Sequence, residues 1–233
     1  PGSVPSSAAE AQAARVRPLL AASPADVVVL EEAYWGWLRR DPDVRARYPH
    51  QLVHTEQASS GLVLLSARPF LASGVSQVPP DRSGWPRLLW ARLDLGGGRT
   101  LVVVAAHPEA PSVDPLALRY DPSARDALLA DARAFVDPAL ARGEPVLLVG
   151  DLNLTVREPA YHDLLRGLRD AHAVAGRGPG PTWGLDPASG WRWPLLRIDH
   201  LLAGPGVVPL ESAADCAPRG SDHCVVRVRF ALP

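Results

Sequence analysis

Pro145-Val146-Leu147-Leu148-Val149-Gly150-Asp151-Leu152-Asn153 is the stretch on which the reading of this chain turns. An apolar run of this length, closed by a glycine, predicts a buried strand rather than a helix. Asp151 and Asn153 then stand at the strand's C-terminal mouth, where open α/β sheets gather their chemistry. Residues two apart on an extended chain face one side, so a carboxylate and an amide share a pocket. Asn153 is the only asparagine in a composition that avoids Asn, Lys and Ile, which suggests a site that needs an amide.

Working outward, further strands are expected over residues 27–30, 61–65, 88–95, 100–106, 195–202, 207–210 and 224–230. Each is a short apolar, β-branched run bounded by turn residues. Gly96-Gly97-Gly98 suits a hairpin between two of them. Ser7-Ala8-Ala9-Glu10 has the capping-box pattern ahead of a helix over 11–22. Ser123 is expected to cap a helix over 124–140, and another helix covers roughly 159–168. Residues 34–47 read as a short helix or irregular segment. Residues 68–86 and the Pro-rich stretch 107–122 read as loops. Trp191 and Trp193 are expected to pack rather than stack on bases, because no basic stripe accompanies them.

The chain has 233 residues and is 47% hydrophobic, enough for one domain spanning 1–233 with a sizeable core. Its 24 basic residues, all arginine, against 25 acidic ones leave a net charge of −1, so no global field advertises nucleic acid. No apolar run approaches the roughly 18 residues that cross a bilayer, so the segment reads as soluble. The chain opens at Pro1 and contains no methionine, which suggests processing or a fragment; an export signal or membrane anchor upstream stays open. Cys216 and Cys224 are equally compatible with a disulfide and with free thiols, and zinc ligands at usable spacing are missing.

Glu32, His107, Asp151, Asn153, Asp199, Asp222 and His223 all fall at or near ends of expected strands, where one cleft can collect them. Together they offer hard oxygen ligands for Mg2+ or Mn2+, an amide, and histidines supported by carboxylates. A strand carrying Arg197, Asp199 and His200 in its middle needs partners, since unpaired buried charge is costly. No Gly-rich phosphate cradle is present, which argues against nucleotide-powered chemistry and hydride transfer. Ser221-Asp222-His223 is not triad geometry by adjacency alone, and no nucleophile elbow appears.

Val28-Val29-Leu30-Glu31-Glu32, the strand ending in His107, Gly150-Asp151-Leu152-Asn153, Arg197-Ile198-Asp199-His200 and Ser221-Asp222-His223 follow one another in an order that resembles the endonuclease/exonuclease/phosphatase superfamily, which includes the DNase I-like enzymes. The resemblance implies a four-layer α/β sandwich, with two mainly antiparallel sheets face to face and helices outside. It implies Mg2+- or Mn2+-dependent hydrolysis of a phosphate ester by a phosphodiesterase or nuclease. In that likeness Glu32 is the metal-binding glutamate, with Glu31 where a glutamine is often seen, and Asp222 is a metal ligand or support. Asp151 serves the attacking water and Asn153 holds a phosphoryl oxygen. Asp199 orients the catalytic His223, His107 resembles a second catalytic histidine that meets the phosphate, and Arg87 is a phosphate contact. The superfamily's usual first strand, ending in an asparagine, has no counterpart, so an N-terminally incomplete domain is expected. Nucleic acid, phospholipid and small-molecule substrates stay open, with no obligate protein partner and a monomer expected. The competing readings are an impaired binding module on the same fold, a small-molecule or phospholipid phosphatase and, more weakly, a serine hydrolase.

Overall fold

The computed structural model describes residues 7–33, 36, 40–54, 61–76, 88–114, 116, 118–185, 193–217 and 221–232. In chain order the elements are α1 (Ser7–Ala21), β1 (Val27–Ala33), α2 (Pro42–Arg47), β2 (His50–His54), β3 (Gly61–Ser66), β4 (Phe70–Val75), β5 (Leu88–Gly96), β6 (Arg99–Ala106), β7 (Ser112–Asp114), β8 (Arg119–Asp121) and α3 (Ser123–Ala141). There follow β9 (Val146–Asp151), α4 (Pro159–Leu164), β10 (Arg169–Asp170), α5 (Ala171–Ala175), β11 (Trp183–Leu185), β12 (Trp193–Leu196), β13 (Asp199–Ala203), β14 (Val208–Asp215) and β15 (Val225–Ala231).

Alternation along the strands sorts their side chains into three apolar clusters, and these clusters define the layers. In β6, Leu101, Val103 and Ala105 face one way, and Val102, Val104 and Ala106 the other. The second set packs with Leu129, Ala132, Val136 and Ala139 of α3 and Leu164 of α4. The first set meets Leu62 and Leu64 of β3 between the sheets. Val63 and Leu65 of β3 turn outward onto Ala13 and Leu20 of α1 and Val44 of α2. The order is therefore helix, sheet, sheet, helix, the four-layer sandwich. Strands buried on both faces explain why the core runs are continuously apolar.

One sheet has six strands in the order β10-β13-β9-β6-β5-β4. Among the described strands of this sheet only β6 and β9 pair parallel, and α3 makes the crossover between them. The other layer holds β1-β3-β2 and the β14-β15 pair, whose Phe230 reaches the core between the sheets.

Several boundaries differ from the sequence reading. Residues 70–75, expected as loop, form edge strand β4, where a Cβ on Gly74 would come within 2.9 Å of Trp90 Nε1. The stretch 195–202 divides into β12 and β13, because Thr182 Oγ1 takes the N–H groups of Ile198 and Asp199 while Leu152 N–H bonds the Ile198 carbonyl. The Pro-rich stretch after His107 contains the β7-β8 hairpin, and His50–His54 is an unanticipated strand. Ser123 begins α3 instead of capping it, its N–H bonded to the Asp121 carboxylate. Trp191 falls outside the described residues. No described helix is long and apolar enough to cross a membrane.

Cys216 and Cys224 form a disulfide across a separation of 8 residues, tying the end of β14 to the residue after His223. Closing a loop of this size restricts the unfolded chain by about 2–3 kcal/mol. Reduction, or Cys216→Ala with Cys224→Ala, is expected to lower Tm by roughly 5–10 °C. Thermal unfolding with and without a phosphine reductant checks this; an unchanged Tm would refute it.

Candidate active site

The site begins with a backbone constraint. β9 and β13 pair antiparallel in a register that sets Asp151 directly opposite Asp199. Like charges opposed across a ladder repel. Gly150, just before, has φ +144, and a Cβ there would lie 2.0 Å from the Ala106 carbonyl oxygen. Only glycine lets β9 pass β6 this closely while delivering Asp151 to the mouth.

His223 closes over the two carboxylates. Its Nδ1 lies 2.9 Å from Asp199 Oδ2 and its Nε2 3.6 Å from Asp151 Oδ2. His107, at the end of β6, brings Nε2 to 3.8 Å from the same Asp151 oxygen. Thr182 and Trp183 hold this side together. Cys224 N–H donates to the Thr182 carbonyl, Trp183 bridges to His223, and Trp183 Nε1 donates to Asp222 Oδ2 at 3.1 Å. Asp222 thus anchors the tryptophan while adding negative charge beside His223.

The opposite wall comes from β1, where a register irregularity falls between Leu30 and Ala33 and Glu32 adopts φ 50. A bulge of this kind re-aims side chains at the end of a strand. The Glu31 carboxylate accepts the Asp151 N–H at 3.3 Å, and the Glu32 charge acts on Asp151. Glu31 thus contacts the cluster directly, while the exposed Glu32 acts on it through its charge alone. Sequence reasoning gave the metal role to Glu32 and noted Glu31 beside it without a site role, although the parity of Val27 and Val29, which face the core between the sheets, predicts an inward Glu31. Thr182 carried no signal in the sequence.

Asn153 follows on a turn with φ 48. Its N–H bonds Asp151 Oδ1 at 2.9 Å and its Nδ2 donates to the Pro108 carbonyl at 3.0 Å, which fixes the orientation of the amide. Behind the turn, His200 Nε2 holds the Leu154 carbonyl at 2.7 Å, and the buried Asp170 binds Tyr161 and Arg197. Arg197 and His200, the other members of the charged trio, are thus paired in the interior.

Charge crowding shapes the protonation states. Burial, reinforced by Asp199, pushes Asp151 up to about 7 against the opposing effect of His223. Burial, with Asp199 and Asp151, pushes Glu31 up to about 8. For His223 burial works against the charged form, but the hydrogen bond and charge of Asp199, aided by Asp151 and Asp222, prevail and push it up to about 9. One ligand atom each from Asp151, Asp199 and His223 lies within 4.8 Å of the others. The two carboxylates offer the hard oxygen donors that fit a divalent cation, while His223 in its charged form is a donor beside them rather than a ligand. Glu32 and Asp222, assigned to metal from sequence, lie outside that trio.

Ser221 Oγ accepts the backbone N–H of His223 at 3.0 Å, while the His223 ring faces Asp199 and Asp151. No serine-histidine pair of the hydrolase kind exists there. Arg87 lies outside the described residues.

No curated protein matches the chain significantly in sequence. Its fold is similar to that of a functionally unknown conserved protein from Enterococcus faecalis V583, with 20% identity, TM-score 0.73, and 96% of this chain and 91% of that one covered. It is similar to truncated TDP2 of Caenorhabditis elegans, with 20% identity, TM-score 0.72, and 97% and 92% covered. It is also similar to the 3'-5' exonuclease NExo from Neisseria meningitidis, with 21% identity, TM-score 0.70, and 95% of each chain covered. These likenesses establish the α/β sandwich. The model of the Endonuclease/Exonuclease/phosphatase family matches residues 2–223, nearly the whole chain, and the chain belongs to that family.

Proposed function

We propose that the chain is a metal-dependent phosphodiesterase or nuclease-type hydrolase working at the Asp151-Asp199-His223 cluster. The observation that carries this reading is the direct opposition of Asp151 and Asp199 beneath His223. Paired carboxylates cost stability unless a proton or cation stands between them, and phosphoester hydrolysis needs such a cation.

Mg2+ or Mn2+ would be held by carboxylates of this cluster, with Glu31 and Glu32 at its edge and Asp222 supporting the histidine. When bound, the cation supplies stabilisation of the charge that develops on the phosphoryl group. Asp151, pushed up to about 7, is poised near neutral pH to take a proton from the attacking water. Asn153 offers its remaining amide N–H to a phosphoryl oxygen. His223, pushed up to about 9, is an imidazolium at neutral pH, oriented by Asp199, and supplies a proton or an electrostatic donor to the reacting phosphate. His107 adds a second donor beside Asp151.

The likeness to an exonuclease brings nucleic-acid ends into the substrate class. A net charge of −1 weighs against tight binding to long polymers and leaves phospholipid and small esters in view.

Bis(p-nitrophenyl) phosphate and p-nitrophenyl phosphate, each assayed with Mg2+, Mn2+ or EDTA, separate diesterase from monoesterase. Metal-dependent diester turnover is expected. Asp151→Asn should reduce kcat by about 10²–10⁴-fold, whereas Ser221→Ala stays within about twofold. Absence of turnover with either ester and either metal would leave only the binding module.

A pH effect follows from the same crowding. Asp151 and Glu31 hold protons in the folded state that an unfolded carboxylate releases near its ordinary value, and His223 does the same above its ordinary value of 6.5. Stability conferred by these groups is full below the ordinary carboxylate values of 3.8 and 4.5 and is lost progressively as pH rises through the raised values of about 7, 8 and 9. In EDTA, Tm is expected to fall by roughly 5–10 °C between pH 5 and pH 9, and Mg2+ should restore most of it at pH 9. A Tm that rises over this range in EDTA contradicts the crowding.

A further inference from the structure

α3 carries a core-facing stripe of Leu128, Leu129, Ala132, Val136 and Ala139, and at its site end the stripe continues in Arg125, only 2% exposed. A guanidinium at a core position needs its charge and donors met. Arg125 Nη1 donates to the Asn153 carbonyl at 3.0 Å, to Glu158 Oε2 at 2.5 Å and to the Tyr120 hydroxyl at 3.1 Å, and Nε donates to Asp126. Tyr120 in turn donates to Glu158 at 2.8 Å. The second Glu158 oxygen accepts both the N–H and the hydroxyl of Thr155. Although burial opposes its charge, hydrogen bonds from Thr155, Tyr120 and Arg125 hold the Glu158 carboxyl below its ordinary value, so the clamp is an ion pair.

We propose that Arg125 is a positioning residue for hydrolysis: held by Glu158 and Tyr120, it grips the Asn153 carbonyl and so fixes the turn from which the Asn153 amide meets the phosphate. This rests on the reading of Asn153 as a phosphate-binding amide. Asn153 adopts a left-handed backbone, which asparagine tolerates better than other non-glycine side chains and which local hydrogen bonds hold in place. Three bonds hold it: Asp151 takes its N–H, Pro108 takes its Nδ2, and Arg125 satisfies its carbonyl. The Arg125 bond is the one supplied by a buried, ion-paired group outside the reacting cluster. Lysine cannot replace it, because a single ammonium cannot meet Asn153, Glu158 and Tyr120 where Nη1 does and at the same time hold Asp126, which Nε and Nη2 reach on the other side of the planar fork.

Arg125→Lys is expected to lower kcat by about 10–100-fold, with KM for bis(p-nitrophenyl) phosphate and the Mg2+ dependence little changed. In an Asn153→Ala background the same substitution should cost less than about twofold, since both act through one amide. An Arg125→Lys kcat within twofold of the parent, beside a slow Asn153→Ala, overturns the proposal alone. An equal loss in both backgrounds also overturns it, as a general destabilisation. An unchanged kcat in Asn153→Ala brings down the reading of the site together with the proposal.

The single asparagine supplies a readout independent of turnover. Labelling with 15N-asparagine yields one backbone amide peak and one pair of side-chain NH2 peaks sharing a nitrogen shift. Both are expected to shift or broaden in Arg125→Lys and in the milder Tyr120→Phe; unchanged signals in both variants refute the clamp.

Discussion

Two carboxylates facing each other across one rung of a ladder are the constraint around which this molecule is arranged. Asp151 and Asp199 cannot move apart, because the pairing of β9 with β13 sets their register and β9 runs through the middle of a six-stranded sheet. Their repulsion has to be relieved chemically. Burial raises the proton affinity of Asp151, while His223 draws its positive charge from the same two groups. A surface pair would relax into solvent at little cost; a pair held by backbone hydrogen bonds stays opposed.

Keeping such a site in place requires polar order behind it, and two interior networks provide that order. Arg125 with Glu158 grips Asn153 and Thr155 from the α3 side. His200, backed by Asp170, Tyr161 and Arg197, grips Leu154 from the β13 side. Consecutive carbonyls of one turn are thus tied to different charged clusters. Buried networks of this kind are stabilising only when every member is satisfied. Here they carry the backbone that presents Asp151 and Asn153.

Sequence patterning revealed the layers because it reports burial. The apolar runs at 61–65, 100–106 and 145–149 are buried on both faces and are expected as strands from that fact alone. Edge strand β4 and the β7-β8 hairpin escaped, since their pairing needs no continuous apolar run and their glycine and proline content signals turns. At the site, Asp151, Asn153, Asp199 and His223 were legible as polar residues that end core strands. Glu31 was not singled out, because a likeness based on motifs favoured its neighbour. Thr182 and Arg125 were invisible for a different reason: each acts by contacting backbone distant in sequence, and neither spacing nor composition encodes such contacts.

The walls of the cleft are unequal in their support. Asp151 and Asp199 lie on interior strands, flanked by β6 and β10. Glu31 and Glu32 lie on β1, which ends its three-stranded sheet among the described residues, and they fall within its bulge. Val27 to Leu30 of β1 are only half-buried, whereas β3 beside it is buried throughout. Fewer buried contacts, and a ladder edge with no partner among the described residues, mean a lower free energy of local opening. The glutamate wall is therefore the compliant one. In the proposed reaction, one rigid carboxylate pair and one adjustable wall would let a phosphate ester and its cation enter without disturbing the groups proposed to act on water.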